Sequence, residues 1–250
     1  MNAPRTEELP TVLVLGSTGR TGGRVVSQLL ARGTQVRAVV RSADRLPADV
    51  AGAPGLTVIE ADPLSMTDSA LRAHLDDCSA VVSCLGHRTN LRGIFGPPRE
   101  LVAPMVRRVV RAAEALKPEK PIRLVLMSTV AVHRSGGLDA RRGTAGRAFM
   151  AILRLLVPPA KDNQDAADFL MHEVGTSNQY VQWVAVRPDS LVEGDVSAYA
   201  LHDQLVASLA KPDHTAMSNV AHFMCELVCD TQAWDAWQGK MPVIVNTPDA

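Results

Sequence analysis

The sequence predicts a doubly wound α/β fold, a parallel sheet flanked by helices on both faces. Apolar runs of strand length alternate with longer stretches of helical periodicity along the 250 residues, the pattern of strands buried on both faces by crossover helices. The first such strand, "TVLVLG", leads into glycines spaced three apart and then into an amphipathic stretch that stops at Gly33. No internal repeat, charge block or low-complexity linker interrupts the alternation. One domain is expected at this length, with residues 187–250 adding a small substrate-side extension.

Taken in order, strands are expected at "TVLVLG" (11–16), "TQVRAVVR" (34–41), "LTVIEAD" (56–62), "AVVSCLG" (80–86), "IRLVLMST" (122–129), "YVQWVAVRP" (180–188) and "PVIVNT" (242–247). Helices fit between them at 19–32, 66–76, 98–117, 144–156, 162–176, 201–210 and 217–230. In the last of these Val220, Phe223, Met224 and Leu227 recur at core spacing, so that helix packs onto the sheet. Proline and glycine cluster after strands, at 93–98 and 134–143. In open parallel sheets ligands bind beyond the carboxyl ends of strands, so both clusters border the expected pocket.

Composition excludes several function classes. Twenty-six basic and 26 acidic residues cancel, which argues against a nucleic-acid or anionic-membrane surface and for a small-molecule substrate. The start, "MNAPRTEELP", lacks a signal-peptide core, and no stretch offers the run of about 18 uncharged apolar residues a membrane span needs. A cytoplasmic protein is expected. Cys78, Cys84, Cys225 and Cys229 fit neither a disulfide framework nor a zinc spacing and read as small buried hydrophobes. His172 and Glu173 are not followed by a second histidine one turn on, so no metal is expected. A homodimer is compatible with the sequence but not specified by it.

Gly16, Gly19 and Gly22 form the motif with most chemistry in it. After a strand and at a helix start, the first allows a tight turn, the second lets a backbone approach a pyrophosphate, and the third lets helix and strand pack closely. Gly16, Ser17, Thr18, Gly19, Arg20, Thr21 and Gly22 are therefore cofactor-binding candidates, with the helix N-terminus facing the anion. At the end of the second strand, where an acidic residue would hold an NAD ribose, stand Arg41 and Ser42. With Arg20, Arg41 suits a 2′-phosphate, so NADP(H) is expected in preference to NAD(H).

Across nearly its whole length the chain resembles the atypical short-chain dehydrogenase/reductases of the NAD(P)H-binding, NmrA-like kind. The resemblance rests on "GSTGRTGG", "VIEADPLS", "AVVSCLG", "LVLMSTVAV" and "WVAVRPDSLVEG" in combination. It implies that Asp62, with Leu64 just beyond, meets the adenine and that Ser83 to Gly86, including Cys84 and Leu85, run along the cofactor ribose. It also implies that Ser128 and Thr129 end the fifth strand, and that Arg187 and Pro188 lead into a loop over the nicotinamide. The family's Tyr-x-x-x-Lys pair is absent: Tyr180 is followed at that spacing by Val184, Tyr199 by Asp203, and the expected helix reads "KDNQDAADFLMHE".

That pair normally supplies the proton. Substitutes are Thr129, His133, Lys161, Asp165, Asp168 and His172, of which Thr129 and His133 are the catalytic candidates. Asp165, Asp168 and His172 share one helix face, which either lines a pocket or is the solvated side with Phe169 and Leu170 turned inward, the second reading being preferred. Arg88, Arg92 and Arg99 sit in or beside a loop on the pocket side. The resulting expectation is an NADPH-dependent oxidoreductase for a quinone, flavin or enone acceptor. The alternative is a non-catalytic NADP(H)-sensing regulator; a nucleotide-sugar epimerase or dehydratase is disfavoured by the short C-terminal part.

Overall fold

In the computed structural model, residues 10–47, 49–87, 90–134, 139, 143–206 and 213–247 are described. In chain order the strands are β1 (Thr11–Leu15), β2 (Gln35–Val40), β3 (Leu56–Glu60), β4 (Cys78–Ser83), β5 (Ile122–Met127), β6 (Val181–Pro188), β7 (Ser190–Val192), β8 (Tyr199–His202), β9 (His214–Ala216) and β10 (Val243–Asn246). The α-helices are α1 (Arg20–Ala31), α2 (Asp68–Leu75), α3 (Leu91–Phe95), α4 (Val102–Leu116), α5 (Gly143–Leu156), α6 (Pro158–Asp168), α7 (Met217–Cys229) and α8 (Thr231–Trp237). A π-helical turn, Phe169–Val174, continues α6.

Eight strands form one sheet in the order β3-β2-β1-β4-β5-β6-β10-β8, and β7 and β9 pair apart from it. All neighbours in the large sheet run parallel except β10 and β8. Strand order reverses between β1 and β4, which makes a crevice beyond their carboxyl ends the natural ligand site.

Alternation along the strands sorts side chains into two cores. Leu13, Leu15, Val81, Leu124 and Leu126 pack with α2, α4 and α6. Val12, Val14, Val82, Val125 and Val184 pack with α1, α7 and α8. Strands with both faces covered need apolar residues at nearly every position, and "VLVL" of β1 and "LVL" of β5 supply them.

The sequence reading is corrected at several places. Residues 201–210 do not begin a helix: Tyr199–His202 is β8, antiparallel to β10, and 207–210 lie outside the described residues. Its period-2 face decides the matter, since Tyr199 and Leu201 join one core while Ala200 joins another with Val243 and Val245. The expected helix at 162–176 starts earlier, at Pro158, where proline's fixed φ suits a first turn. Cys229, the last residue of α7, is exposed rather than buried. On α5, Phe149, Ile152, Leu155 and Leu156 face outward. Among the described residues no helix is long and apolar enough to cross a membrane.

Candidate functional site

The glycine turn joins β1 to α1. Gly16 adopts φ +81°, and a Cβ there would stand 2.8 Å from the Cys84 carbonyl carbon and oxygen. At Gly22 a Cβ would meet the Gly16 carbonyl oxygen at 2.1 Å. Neither position tolerates a side chain. Gly19 is looser, its added Cβ meeting only the Gly16 oxygen at 3.1 Å, and it caps α1 without any side-chain hydrogen bond. The helix thus presents its backbone N-terminus to the crevice, the arrangement that attracts an anion. Ser17 and Thr21 are buried, and the Ser17 hydroxyl donates to the Val14 carbonyl at 2.8 Å, so Ser17 shapes the turn. Thr18, Gly19 and Arg20 open onto a groove of about 510 Å³, shared with Gly23, Arg24 and Asp49.

At the end of β2, Arg41 is exposed and Ser42 half-buried, ahead of the one-turn 3₁₀ helix Ala43–Arg45. Pro47 follows and brings this segment against α1, its Cγ 2.9 Å from where a Gly23 side chain would begin. Arg20 and Arg41 therefore belong to two elements that meet beside the turn. At the end of β3, Asp62 is exposed, with one carboxylate oxygen accepting the Leu64 N–H at 3.0 Å.

The segment after β4 lies under the turn, with Cys84 and Leu85 buried and Gly86 exposed. Burial pushes the Cys84 thiol up to about 12, which makes it a packing group. Ser83 and Ser128 stand at the ends of the adjacent strands β4 and β5, and neither hydroxyl has a hydrogen-bond partner among the described residues although both are buried. Ser83 pairs in register with Leu15 and Leu126, and both leucines face α4 and α6. Ser128, two residues beyond Leu126, continues that face by strand alternation. A buried hydroxyl without a partner is costly, so two of them at a crevice edge fit a site that a ligand's polar groups complete.

Thr129 Oγ1 accepts the Ala131 N–H at 3.2 Å and closes a turn. His133 is fastened to α6 through its main chain: Gln164 accepts from its N–H and donates to its carbonyl, each at 2.9 Å. Next to these, His87 Nε2 lies 2.8 Å from Asp162 Oδ2, and the Asp162 carboxylate also accepts the N–H groups of Leu101, Val102 and Ala103 at the start of α4. Sequence reasoning missed both residues. A histidine immediately after Gly86 at a strand end was a usable signal for His87, whereas Asp162 takes its role from a helix start some 60 residues away.

Other candidates fall outward. Lys161 is exposed and pairs with Asp165; His172 is exposed, and Asp168 accepts from Gln164 at 2.9 Å. Phe169 and Leu170 are buried. Arg99 is exposed, while Arg88 and the Arg92 side chain lie outside the described residues, as does most of 134–143.

Arg187 corrects the expectation of a cofactor ligand. It is fully buried, its Nε donating to the Met241 carbonyl at 2.8 Å and its Nη1 contacting both Asp139 oxygens at 3.2 and 3.1 Å. Arg134 binds the same carboxylate and the Asp203 carbonyl. Burial alone would push the Asp139 carboxyl up, but Arg187 and Arg134 beside it hold it below its ordinary value. The strand's Arg-Pro pair is thus a clamp on the fold, with Pro188 buried and its carbonyl accepting from Val130.

Comparison with known proteins agrees with this geometry. An oxidoreductase from Lactococcus lactis, ylbE, superposes with a TM-score of 0.65 at 18% identity, covering 96% of this chain and 92% of that one. A Rossmann-fold NAD(P)-binding family protein from Shigella flexneri gives 0.65 at 16%, covering 97% and 95%. A short-chain dehydrogenase/reductase from Veillonella parvula, solved in complex with NADP, gives 0.65 at 14%, covering 96% and 95%. At such identities the likeness is one of fold. A chloroplastic protein of Arabidopsis thaliana is 36% identical over 96 residues, which cover 38% of this chain and 33% of that protein. Residues 16–231 match the family described as NAD(P)H-binding, and the chain, with its Rossmann-like sheet and glycine turn, belongs to that family.

Proposed function

We propose that the protein is an NADPH-dependent oxidoreductase of the atypical short-chain, NmrA-like kind, acting on a conjugated acceptor such as a quinone, flavin or enone. The observation that carries the redox reading is the pair of buried hydroxyls, Ser83 and Ser128, at the ends of β4 and β5, which have no hydrogen-bond partner among the described residues. A structural turn needs no such pair, but a site for a polar ring and an acceptor oxygen does. The dinucleotide itself is held by Gly16, Gly19, Gly22 and the first turn of α1, with Arg41 and Arg20 taking the 2′-phosphate through charge-assisted hydrogen bonds. When bound, the reduced nicotinamide supplies a hydride to the acceptor. The chain's own residues orient the acceptor and exclude water from the buried strand ends. Four free cysteines, three of them buried (Cys78, Cys84 and Cys225), suit a reducing compartment such as the cytoplasm.

The test is calorimetric titration with NADPH, NADP and NADH, repeated on Arg41→Ala, followed by an acceptor panel at saturating NADPH. Tight NADPH binding that weakens on the substitution, with NADH little changed, supports the preference, and acceptor-dependent oxidation supports the activity. Binding of NADPH without turnover of any acceptor favours the sensor reading, which the missing Tyr-x-x-x-Lys pair motivates. A sensor must then bind NADP and NADPH unequally.

A further inference from the structure

We propose that His87, oriented by Asp162, is the proton donor of this reaction and so fills the role that the absent tyrosine leaves open. The inference rests on the oxidoreductase reading. Its ground is a juxtaposition of three features: a buried histidine–carboxylate pair, the open end of β4, and two hydroxyls without a partner among the described residues, toward the helix layer that holds the carboxylate.

The pair is built with unusual fixity for a loop histidine. The His87 side chain is 5% exposed and that of Asp162 0%. Asp162 accepts four hydrogen bonds, from Leu101, Val102, Ala103 and His87. Three of these come from main-chain N–H groups at the start of the 15-residue helix α4. A carboxylate so occupied can only accept, so Nε2 is the ring nitrogen that carries hydrogen toward it. The tautomer follows from the partner. Nδ1 makes no hydrogen bond with the described residues, and it is the atom left to exchange a proton.

The location suits that task. Cys84 and Leu85 abut the glycine turn, Gly86 faces open space with nothing within 4 Å of an added Cβ, and His87 comes next. Asp162 lies on α6, which packs against α4, the layer that Ser83 and Ser128 face. His87 thus follows the segment that abuts the glycine turn and is tied by its hydrogen bond with Asp162 to α6.

The step balances as follows. The conjugated acceptor takes the hydride and its electron pair at one end, the π electrons shift through the conjugated system onto the carbonyl oxygen at the other, and that oxygen takes the proton from Nδ1 of the imidazolium. The N–H bonding pair stays with the ring, which keeps its Nε2 hydrogen on Asp162 and regains a proton from solvent. The net change is reduced nicotinamide, conjugated acceptor and one proton to oxidised nicotinamide and the acceptor's two-hydrogen reduced form. Ser83 and Ser128 donate to the acceptor as charge builds on it.

The experiment compares two acceptors. Menadione needs a proton with its hydride; N-methylacridinium, a cation, needs none. In His87→Gln, whose amide still donates to Asp162, menadione turnover is expected to fall about a hundredfold. N-methylacridinium reduction, the NADPH Kd and the melting temperature stay within twofold or a few degrees. In the wild-type protein, titrating 1-naphthol into the NADP complex is expected to move the His87 Nδ1 resonance. Unchanged menadione turnover, a parallel loss with both acceptors, or an unmoved resonance overturns the assignment and leaves the oxidoreductase reading standing. A wild-type protein that binds no NADPH, or binds it and reduces neither acceptor, overturns that reading and this proposal with it.

Discussion

Two polar clusters are buried toward the carboxyl edge of the sheet, and they are built in opposite ways. Around Asp139 every strong group is answered: Arg134 and Arg187 share its carboxylate, and the guanidiniums also reach the carbonyls of Met241 and Asp203. Around the end of β4, Ser83 and Ser128 have no partner among the described residues, and His87 has one on one nitrogen only among them. A fully satisfied network holds a fold together, whereas an incomplete one in a crevice leaves capacity for a ligand. The clamp and the crevice therefore respond differently to substitution.

The largest effect is expected at the clamp. Asp139→Ala leaves two buried guanidiniums facing each other and should cost about 3–5 kcal/mol, read as a lower urea midpoint, while the NADPH Kd of the folded fraction is unchanged. Because its carboxyl is held below the ordinary value, the stability Asp139 adds is present above the ordinary carboxylate range, about pH 4, and is lost as pH falls through the depressed folded value. Asp139→Asn should flatten that acid limb. An unaltered urea midpoint in Asp139→Ala would erase the contrast between the two clusters.

Next comes the glycine turn, where fold and binding can be separated. Gly22→Ala places a methyl 2.1 Å from the Gly16 carbonyl oxygen, a backbone clash that overpacking data put at about 1–3 kcal/mol, and NADPH binding should fail with it. Gly19→Ala has 3.1 Å to the same oxygen. It should keep its melting temperature and still lose NADPH affinity, because its methyl projects where the pyrophosphate approaches. Equal effects of the two substitutions on both readouts would mean that the turn has no ligand-facing side.

These contrasts also mark what was legible in the sequence. Gly16 and Gly22 were, because strand, turn and helix are neighbours in the chain and the steric demand is local. Arg187 was misjudged: the strand motif was visible, but Asp139, which captures it from 48 residues away, was not. Asp162 was passed over for Asp165 and Asp168, since the N–H groups that recruit it belong to α4. Residues 199–202 were misread because their pairing with β10 is a tertiary fact that overrides helical spacing.

A smaller effect is expected at Arg41, which is exposed and touches neither cluster. Arg41→Ala should weaken NADPH about tenfold through the lost phosphate contact, leaving NADH affinity and melting temperature unchanged. A loss shared equally by both dinucleotides would assign Arg41 to the pyrophosphate and remove the basis for the preference.

The smallest change in stability is the most informative for the crevice. Ser128→Ala removes a buried hydroxyl that has no partner among the described residues, so the folded state escapes a desolvation cost. Stability should stay within about 1 kcal/mol of the wild type or rise slightly. A hydroxyl kept only for packing would give that result with unchanged acceptor turnover, since alanine fills nearly the same space. A hydroxyl kept for a ligand gives it with lowered turnover, because a polar group that costs the free protein free energy recovers it only in the complex. The pairing of a neutral or raised urea midpoint with slower reduction, measured on one preparation, is the signature that separates crevice from clamp.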